Sequence, residues 1–248
     1  MRYDGKSHAG LCRKNNQDSF CVVENDKQHI LALVCDGIGG GKAGDVASKM
    51  ASDYMRERFL QARLDNLSDT LIKHWLTSVI QGANDMIFTQ AKQCESQRGM
   101  GTTLVGILRV DKTTYVFNVG DSRTYGVYGD DFICLTEDHS YVADLLKHGE
   151  ISYEQAKHHP RRNVITNALG IWNTFRIDIN KIKEDYTTLL ICSDGLHGYV
   201  NEGFIQSVLK SKHTSEEKVN LLIEAALAAG GYDNVSVIVL DKEESDNE

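Results

Sequence analysis

Short runs of mainly apolar residues recur along the chain and predict β-strands. The clearest runs are Leu31–Val34, Tyr115–Val119, Leu189–Cys192 and Val235–Leu240. Other segments repeat apolar residues every three or four positions, which is typical of amphipathic helices. Three such helices are predicted to begin near Ala43, after the N-cap residue Ser68 and at the Thr214–Glu217 capping box. The chain therefore combines several short strands with long helices.

The order of these elements indicates how the strands are connected. Most strands are joined by short turns instead of alternating with helices. Thr102–Val110 is predicted to form a hairpin with Tyr115–Val119, and Arg123–Tyr128 a second hairpin with Phe132–Leu135. We expect these four strands to share one antiparallel sheet. Further strands are predicted in residues 1–10, where an edge strand is expected, and at Ser19–Val23, Thr174–Ile179 and Thr187–Cys192.

Burial of the apolar runs decides the fold class. Two antiparallel sheets packed face to face, with helices outside each sheet, would bury such runs on both faces. The predicted fold is therefore α+β, a four-layer αββα sandwich of two antiparallel β-sheets flanked by helices. The carboxylate-bearing ends of its strands would meet at one edge.

The composition is that of a globular protein with an excess of acidic residues. The 248 residues are 41% hydrophobic and 25% charged, with a formal net charge of -8. This excess, without a basic cluster, argues against nucleic acid as a partner. No apolar run approaches the roughly 20 residues of a membrane helix, and the N-terminus lacks the apolar core of a signal peptide. The six cysteines show no CxxC spacing, so we expect reduced thiols and a cytoplasmic protein. We also expect a monomer.

No linker or internal repeat divides the chain, and we expect a single domain over residues 1–241. A surface flap is predicted at about 141–165, beginning with a short helix capped by Ser140. The flap either contacts a substrate or is a solvated loop. His139, just before it, is interpreted as a local structural histidine. Residues 242–248 form an acidic tail that is expected to be disordered.

Carboxylates at the ends of apolar strands are the strongest chemical signal. Asp36 and Asp194 each follow a strand and precede a glycine, Asp121 follows another strand, and Asp233 lies just before the last one. A single Asp-Gly pair is common in ordinary turns, but the repetition indicates a shared site. Carboxylates brought together raise one another's pKa unless a cation neutralises them. A ligand set made only of oxygen favours Mg²⁺ or Mn²⁺ over zinc.

Seven short motifs follow one another along nearly the whole chain. They are Arg13-x-x-Asn16-Gln17-Asp18, Asp36-Gly37-Ile38-Gly39-Gly40, Gly99-Met100-Gly101-Thr102-Thr103, Asn118-Val119-Gly120-Asp121-Ser122-Arg123, Leu135-Thr136-x-Asp138-His139-Ser140, Cys192-Ser193-Asp194-Gly195-Leu196 and Gly231-x-Asp233-Asn234. In this order they resemble the PPM family of metal-dependent protein serine/threonine phosphatases, in its compact bacterial form. The resemblance implies the same αββα sandwich, with a two-metal centre at the edge of the sheets.

The resemblance also implies a role for each metal ligand. Asp36 would bridge two tightly bound Mn²⁺ or Mg²⁺ ions, and the carbonyl of Gly37 would bind one of them. Asp194 and Asp233 would hold the other ion, while Asp18 would orient metal-bound waters. Such a pair of ions supplies hydroxide at neutral pH for direct attack on phosphorus.

Further residues carry the rest of the implied chemistry. Asp121 would join a third, weaker metal site, and Arg13 would bind the phosphate with a bidentate fork. Relatives often carry a histidine near Gly41 that has been considered as the proton donor, whereas this loop contains only glycines. The general acid is then either a metal-bound water or His197. Asn167 replaces a frequent arginine and is expected to affect how the flap sits.

The predicted function is hydrolysis of phosphoserine and phosphothreonine in proteins, which reverses a serine/threonine kinase. The expected partners are phosphoproteins and a cognate kinase. One alternative is a phosphoprotein-binding or sensor module with weak or no catalysis, but such a module would usually lack a ligand aspartate. Another alternative is a metal-dependent nuclease, which the acidic balance and missing basic groove disfavour. None of the cysteines lies in a glycine-rich anion-binding loop, which argues against a cysteine-based phosphatase.

Overall fold

The structure is a computed structural model that describes residues 1–38 and 43–243. The glycine loop at 39–41 and residues 244–248 of the acidic tail lie outside the described residues. The strands are β1 (Arg2–His8), β2 (Asp18–Glu24), β3 (Ile30–Ile38), β4 (Gly101–Thr102), β5 (Leu104–Val110), β6 (Thr113–Val119), β7 (Arg123–Tyr128), β8 (Asp131–Cys134), β9 (Asp178–Lys181), β10 (Thr188–Cys192) and β11 (Val235–Asp241). The α-helices are α1 (Gly44–Gln61), α2 (Asp69–Gln93), α3 (Tyr141–Lys147), α4 (Tyr153–Lys157), α5 (Asp194–His197), α6 (Glu202–Leu209) and α7 (Ser215–Ala228), and a 3-10 turn covers Glu95–Gln97.

These strands form two antiparallel sheets. The first sheet has the order β1-β11-β10-β7-β8, so β1 is an edge strand as predicted, and the second has the order β2-β3-β5-β6-β9, with β4 pairing the end of β3. The prediction that both hairpins share one sheet is wrong, because β5 and β6 lie in the second sheet and β7 and β8 in the first. The chain crosses between the sheets at Gly120, whose φ of 115° suits glycine. A side chain at Gly120 would also collide with Thr103.

Strict alternation along the central strands builds the layers of the core. In β3, Leu31 and Leu33 face the helices α1 and α2, whereas Ala32 and Val34 face the other sheet. In β10, Leu190 packs against α5–α7 while its neighbours pack between the sheets. Because successive side chains point to opposite faces of a strand, continuous apolar runs bury both faces. The predicted four-layer αββα sandwich is confirmed.

The helix starts follow the predicted capping chemistry. Ser68 accepts a hydrogen bond from the backbone N–H of Leu71 at the start of α2. Thr214 and Glu217 form a complete capping box at α7, and Ser140 caps α3. Each cap satisfies backbone donors that the first helical turn leaves free. Among the described helices, none has the length and apolar character needed to cross a membrane.

The strand predicted at Thr174–Ile179 is shorter and begins later. β9 starts only at Asp178 and pairs with β6 as far as Lys181. Arg176 lies before it and hydrogen-bonds through its backbone N–H and carbonyl to the side chain of Asn167. The side-chain amide therefore satisfies backbone groups that a strand would place in the ladder.

The segment around 141–165 leaves the sandwich and returns to the same place. Ser140 pairs with Ile165 in an isolated bridge, and the N–H of Tyr141 donates to the carbonyl of Val164 at 2.8 Å. Between these contacts the chain forms α3 and α4, of which α4 was not predicted. We call residues 141–164 the flap.

Candidate metal and phosphate site

The first two carboxylates are brought together by strand pairing. Asp18 at the start of β2 lies directly opposite Asp36 in β3 in the antiparallel register. Residues directly opposite in such a pair project to the same face of the sheet. Asp18 is buried and Asp36 is partly exposed. The register that buries the apolar residues of β3 therefore also places two carboxylates side by side at the end of the sheet.

The backbone of Asp36 is held by the Gly-Thr-Thr motif. Its carbonyl accepts hydrogen bonds from the N–H of Thr103 at 2.8 Å and the hydroxyl of Thr102 at 2.9 Å. Its N–H donates to the hydroxyl oxygen of Thr103 at 2.9 Å, which in turn lies 2.9 Å from the hydroxyl of Ser122. Three neighbouring groups thus fix the carbonyl and N–H that flank the carboxylate.

Gly37 follows Asp36 at a point where two backbones nearly touch. A Cβ on Gly37 would overlap the carbonyl oxygens of Gly44 and Gln17, and a Cβ on Gly44 would lie 2.8 Å from the carbonyl of Gly37. The N–H of Gly37 donates to the carbonyl of Gln17 at 3.1 Å. Only glycine tolerates this close approach, which holds the start of α1 against the end of β3.

Ser193 connects the carboxylates of the two sheets. Its hydroxyl donates to Oδ2 of Asp18 at 2.8 Å and accepts from the N–H of Ser236 at 2.9 Å. The next residue, Asp194, begins α5. A serine between β10 and α5 therefore binds a carboxylate of the second sheet to a strand of the first.

Asp233 is held by the loop that also carries Arg13. Nη2 of Arg13 donates to Oδ2 of Asp233 at 2.7 Å, and Oδ1 accepts from the N–H of Asn234 at 2.9 Å. The side chain of Asn234 donates to the carbonyls of Ala9 and Asn15 and accepts from the N–H of Gln17. Asn234 thus joins residues 9–17 to the start of β11.

Asp121 lies in the crossing between the sheets and is buried. Its backbone carbonyl lies 3.0 Å from Nε2 of His197, so that nitrogen must carry a hydrogen and donate it. Burial lowers the pKa of His197 to about 3, and the ring is neutral at physiological pH. A neutral imidazole whose Nε2–H is already donated is a poor proton donor, which argues against His197 as the general acid.

Electrostatic repulsion links these five carboxylates. Burial, and then the charges of the other four carboxylates, raise the pKa of Asp36 well above its usual value. Burial also raises the pKa of Asp18 to about 7, of Asp121 to about 8 and of Asp194 to about 6, with neighbouring carboxylates adding to each shift. The charge of Asp36 therefore interacts with all four other carboxylates, and the cluster is one in which a cation would be stabilised.

The donor atoms fit a hard divalent cation. Oδ1 of Asp18 and Oδ1 of Asp194 are buried and lack a hydrogen-bond partner, whereas buried acceptors normally have one. All the candidate metal-ligand atoms are carboxylate or carbonyl oxygens, which suits Mg²⁺ or Mn²⁺. Within residues 1–38 and 43–243, however, no three His, Cys, Asp or Glu side chains form a ready-made metal cage. The repulsion among the carboxylates and the bond from Arg13 to Asp233 both oppose closer convergence.

His139 is a structural residue at the base of the flap. Its Nδ1 accepts from the N–H of Gly120 at 3.2 Å and lies 2.7 Å from the amide nitrogen of Asn167. Nε2 therefore carries the hydrogen and donates to Asp178 at 3.0 Å. This network supports the structural interpretation of His139. Asn167, in the position of a frequent arginine, joins His139 to the backbone of Arg176.

An ion pair holds the start of β7, where the chain enters the first sheet after Gly120. Arg123 donates from Nε and Nη2 to the two oxygens of Asp138, at 2.8 and 2.7 Å. Both residues belong to motifs quoted from the sequence, but no role was predicted for them. Ser193 and Asn234 were likewise present in the motifs without a predicted role, because their partners are distant in sequence.

Comparisons with known proteins agree with this architecture. The family described as protein phosphatase 2C matches residues 5–229. Serine/threonine phosphatase stp of Listeria innocua is 38% identical over 243 residues, which cover 98% of this chain and 96% of that protein. Protein phosphatase PhpP of Streptococcus pneumoniae is 32% identical over 240 residues, 96% of each chain. The crystal structure of Stp1 from Staphylococcus aureus superimposes with a TM-score of 0.93 at 33% identity, covering 98% of this chain and 95% of that one. The chain is therefore a bacterial-type serine/threonine phosphatase and belongs to the protein phosphatase 2C, or PPM, family.

Proposed function

We propose that the protein hydrolyses phosphoserine and phosphothreonine in proteins with the help of two divalent cations, and so reverses a serine/threonine kinase. The observation that carries this proposal is the set of carboxylates around Asp36, which includes the buried, unpartnered oxygens of Asp18 and Asp194. Family membership supports the activity, and the oxygen-only donor set supports Mn²⁺ or Mg²⁺ as the cofactor.

The chain offers a ligand for each proposed position. Asp36, whose charge interacts with all four other carboxylates, would bridge the two ions, with the carbonyl of Gly37 on one of them. Asp194 and Asp233 would hold the other ion, and Asp18, fixed by a hydrogen bond from Ser193, would orient metal-bound waters. When bound, such ions supply Lewis acidity that generates a hydroxide nucleophile and offsets phosphate charge.

Arg13 is proposed to bind the phosphate. Its side chain is 55% exposed and bonds to Asp233 through Nη2, which leaves its other N–H groups available to a ligand. A guanidinium can donate two parallel hydrogen bonds to phosphate oxygens. The bond to Asp233 places this donor beside the proposed metal ligands, where an incoming phosphate would meet both.

Protonation of the leaving oxygen requires another group, because His197 is neutral and already donates to a backbone carbonyl. We propose that Asp121 contributes to a third, weaker cation site on this side of the centre. Burial, and then the charges of Asp194 and Asp138, raise the pKa of Asp121, so a cation there would be stabilised.

We further propose that residues 1–241 act as one phosphatase domain, with the flap as part of it and residues 242–248 as an appended tail. The match of the family over residues 5–229 supports this extent. All six cysteines are free, which supports the expectation of a reducing, cytoplasmic compartment.

The proposal is tested by phosphate release from a phosphothreonine peptide with Mn²⁺, before and after EDTA. We expect activity only with the metal, and almost none in Asp36→Asn, because an amide bridges two cations poorly. Asp26→Asn is the matched control, since Asp26 is exposed in the β2–β3 turn, at the other end of the same hairpin. Asp194→Asn and Asp233→Asn should behave like Asp36→Asn.

The same preparation separates the alternatives. A sensor module would bind the phosphopeptide without releasing phosphate, and a nuclease would nick plasmid DNA under the same conditions. Wild-type turnover in Asp36→Asn at equal Mn²⁺ would contradict the metal assignment.

A further inference from the structure

A cleft of about 400 Å³ lies between the flap and the loop that follows α5. Its inner end is formed by Asp121 and Asp194, and its wall by side chains of α3, α4 and Tyr199. We call it the flap cleft. Its volume lies in the range of sites that take a small ligand or a large side chain. Because two proposed metal ligands line it, the cleft opens directly from the reaction centre.

Apolar side chains of the flap form one wall of the flap cleft and are only partly buried. Val142, Ala143 and Leu146 line it from α3, yet α3 has no fully buried residue. Tyr153 of α4 lines it too and is 60% exposed. Apolar side chains on one helix face are usually covered by the core, so a ligand in the cleft could bury this partly exposed apolar face.

Tyr199 lines the cleft from the loop that follows α5. Its ring packs at 5.6 Å against that of Tyr232, which holds it in place. Burial, and then the charges of Asp194 and Asp233, raise the pKa of Tyr199. Tyr199 therefore lies near these carboxylates as well as in the cleft wall.

Two of the three lysine and arginine side chains that line the cleft are already paired with a carboxylate. Arg123 makes its bidentate pair with Asp138, and Lys157 bonds to Glu154 at 3.0 Å. Within residues 1–38 and 43–243, Arg162 alone of the lining cations has no such carboxylate. Away from the carboxylates at its inner end, the cleft therefore offers a ligand the apolar side chains of α3, α4 and Tyr199 together with the guanidinium of Arg162.

We propose that the flap cleft binds a large apolar side chain of the substrate protein, such as leucine or phenylalanine, close to the phosphorylated residue. This inference rests on the proposed function, because the phosphate at the carboxylate centre brings the neighbouring residue to the cleft. The substrate class is then phosphoproteins with an apolar residue beside the phosphorylation site. Tyr199 and Leu146 are its specificity-determining residues.

The test uses phosphothreonine peptides on a serine background, with one leucine, or in a parallel set one glutamate, placed in turn at each of the nearest positions on both sides. We expect wild type to prefer leucine at one or more positions by roughly ten-fold in kcat/KM, mainly through KM. Leu146→Ala and Tyr199→Ala should lose most of this preference, whereas Tyr199→Phe should retain it. Phe204→Ala, which removes an exposed aromatic ring of α6 outside the cleft, is the control and should keep the full preference.

Three results would overturn the inference while leaving phosphatase activity intact. They are equal kcat/KM for all peptides, a leucine preference unchanged in Leu146→Ala and Tyr199→Ala, and a stronger preference for glutamate than for leucine, which would assign recognition to Arg162. If wild type hydrolyses none of the peptides with Mn²⁺, the proposed function is wrong and this inference falls with it.

Discussion

Replacing Asn234 with alanine should loosen the connection between the N-terminal loop and β11. The buried side chain donates to the carbonyl of Ala9 at 2.8 Å and to that of Asn15 at 3.0 Å, and accepts from the N–H of Gln17 at 2.8 Å. Alanine removes all three hydrogen bonds. The same loop carries Arg13, so the change should affect both folding and the approach of phosphate.

The size of the effect follows from these contacts. Net contributions of about 0.5–1.5 kcal/mol per hydrogen bond give roughly 1.5–4.5 kcal/mol for three bonds. In a chain of this size each kcal/mol shifts the Tm by about 2–4 °C, so Tm should fall by roughly 3–18 °C. Because Arg13 would lose its fixed position, kcat/KM for a phosphopeptide should fall by about ten-fold or more.

Thermal unfolding followed by circular dichroism, together with phosphopeptide kinetics at saturating Mn²⁺, measures both effects. Asn220→Ala is the control, since Asn220 accepts one exposed hydrogen bond from Lys6 and should change stability by no more than about 0.5 kcal/mol. An Asn234→Ala protein with the Tm and kcat/KM of wild type would refute the reasoning that this side chain joins the loop to β11.

Three further predictions test individual side chains. Arg13→Ala should lower kcat/KM by roughly ten- to a hundred-fold, the loss of a charge-assisted contact of about 1.5–3 kcal/mol, and Arg13→Lys should restore it only partly; unchanged phosphopeptide kinetics would exclude the phosphate contact. Asp121→Asn should keep or raise the Tm, because the pKa of its buried carboxyl is raised. The same variant should lose more turnover on phosphopeptides than on an activated aryl phosphate. Equal losses of turnover on the two substrates would indicate a purely structural role for Asp121. Burial raises the pKa of Asp178, but hydrogen bonds from Arg176 and His139 lower it below its usual value overall. The ionised carboxylate of Asp178 therefore stabilises the fold at a pH above the carboxyl pKa of an unfolded chain. This stabilisation is lost as the pH falls through the pKa of Asp178 in the folded protein, so the Tm difference between wild type and Asp178→Asn should shrink from pH 7 to about pH 3. A Tm difference that stays constant over this range would contradict the prediction.

The candidate site was predictable to the extent that its residues stand at strand ends. Asp36, Asp194 and Asp233 were candidate ligands from the sequence because a strand with an apolar run ends or begins beside each carboxylate, and their metal-binding roles stay predictions. Ser193 and Asn234 could not be assigned roles, because their partners lie far away in the chain and a serine or asparagine beside a strand has many local uses. The hydrogen bond from Arg13 to Asp233 could not be predicted either, because it joins two loops that are far apart in the sequence.

The sequence by itself determined the fold class, the helix starts and the position of each carboxylate, because periodicity, capping and strand ends are local properties. Only the tertiary structure decided that the β5-β6 and β7-β8 hairpins belong to different sheets. Their apolar patterns are alike, and sheet membership depends on long-range pairing and on the turn at Gly120. The same long-range contacts decided that α3 and α4 leave an apolar wall uncovered beside the carboxylates, since a local pattern shows which face is apolar but not what covers it.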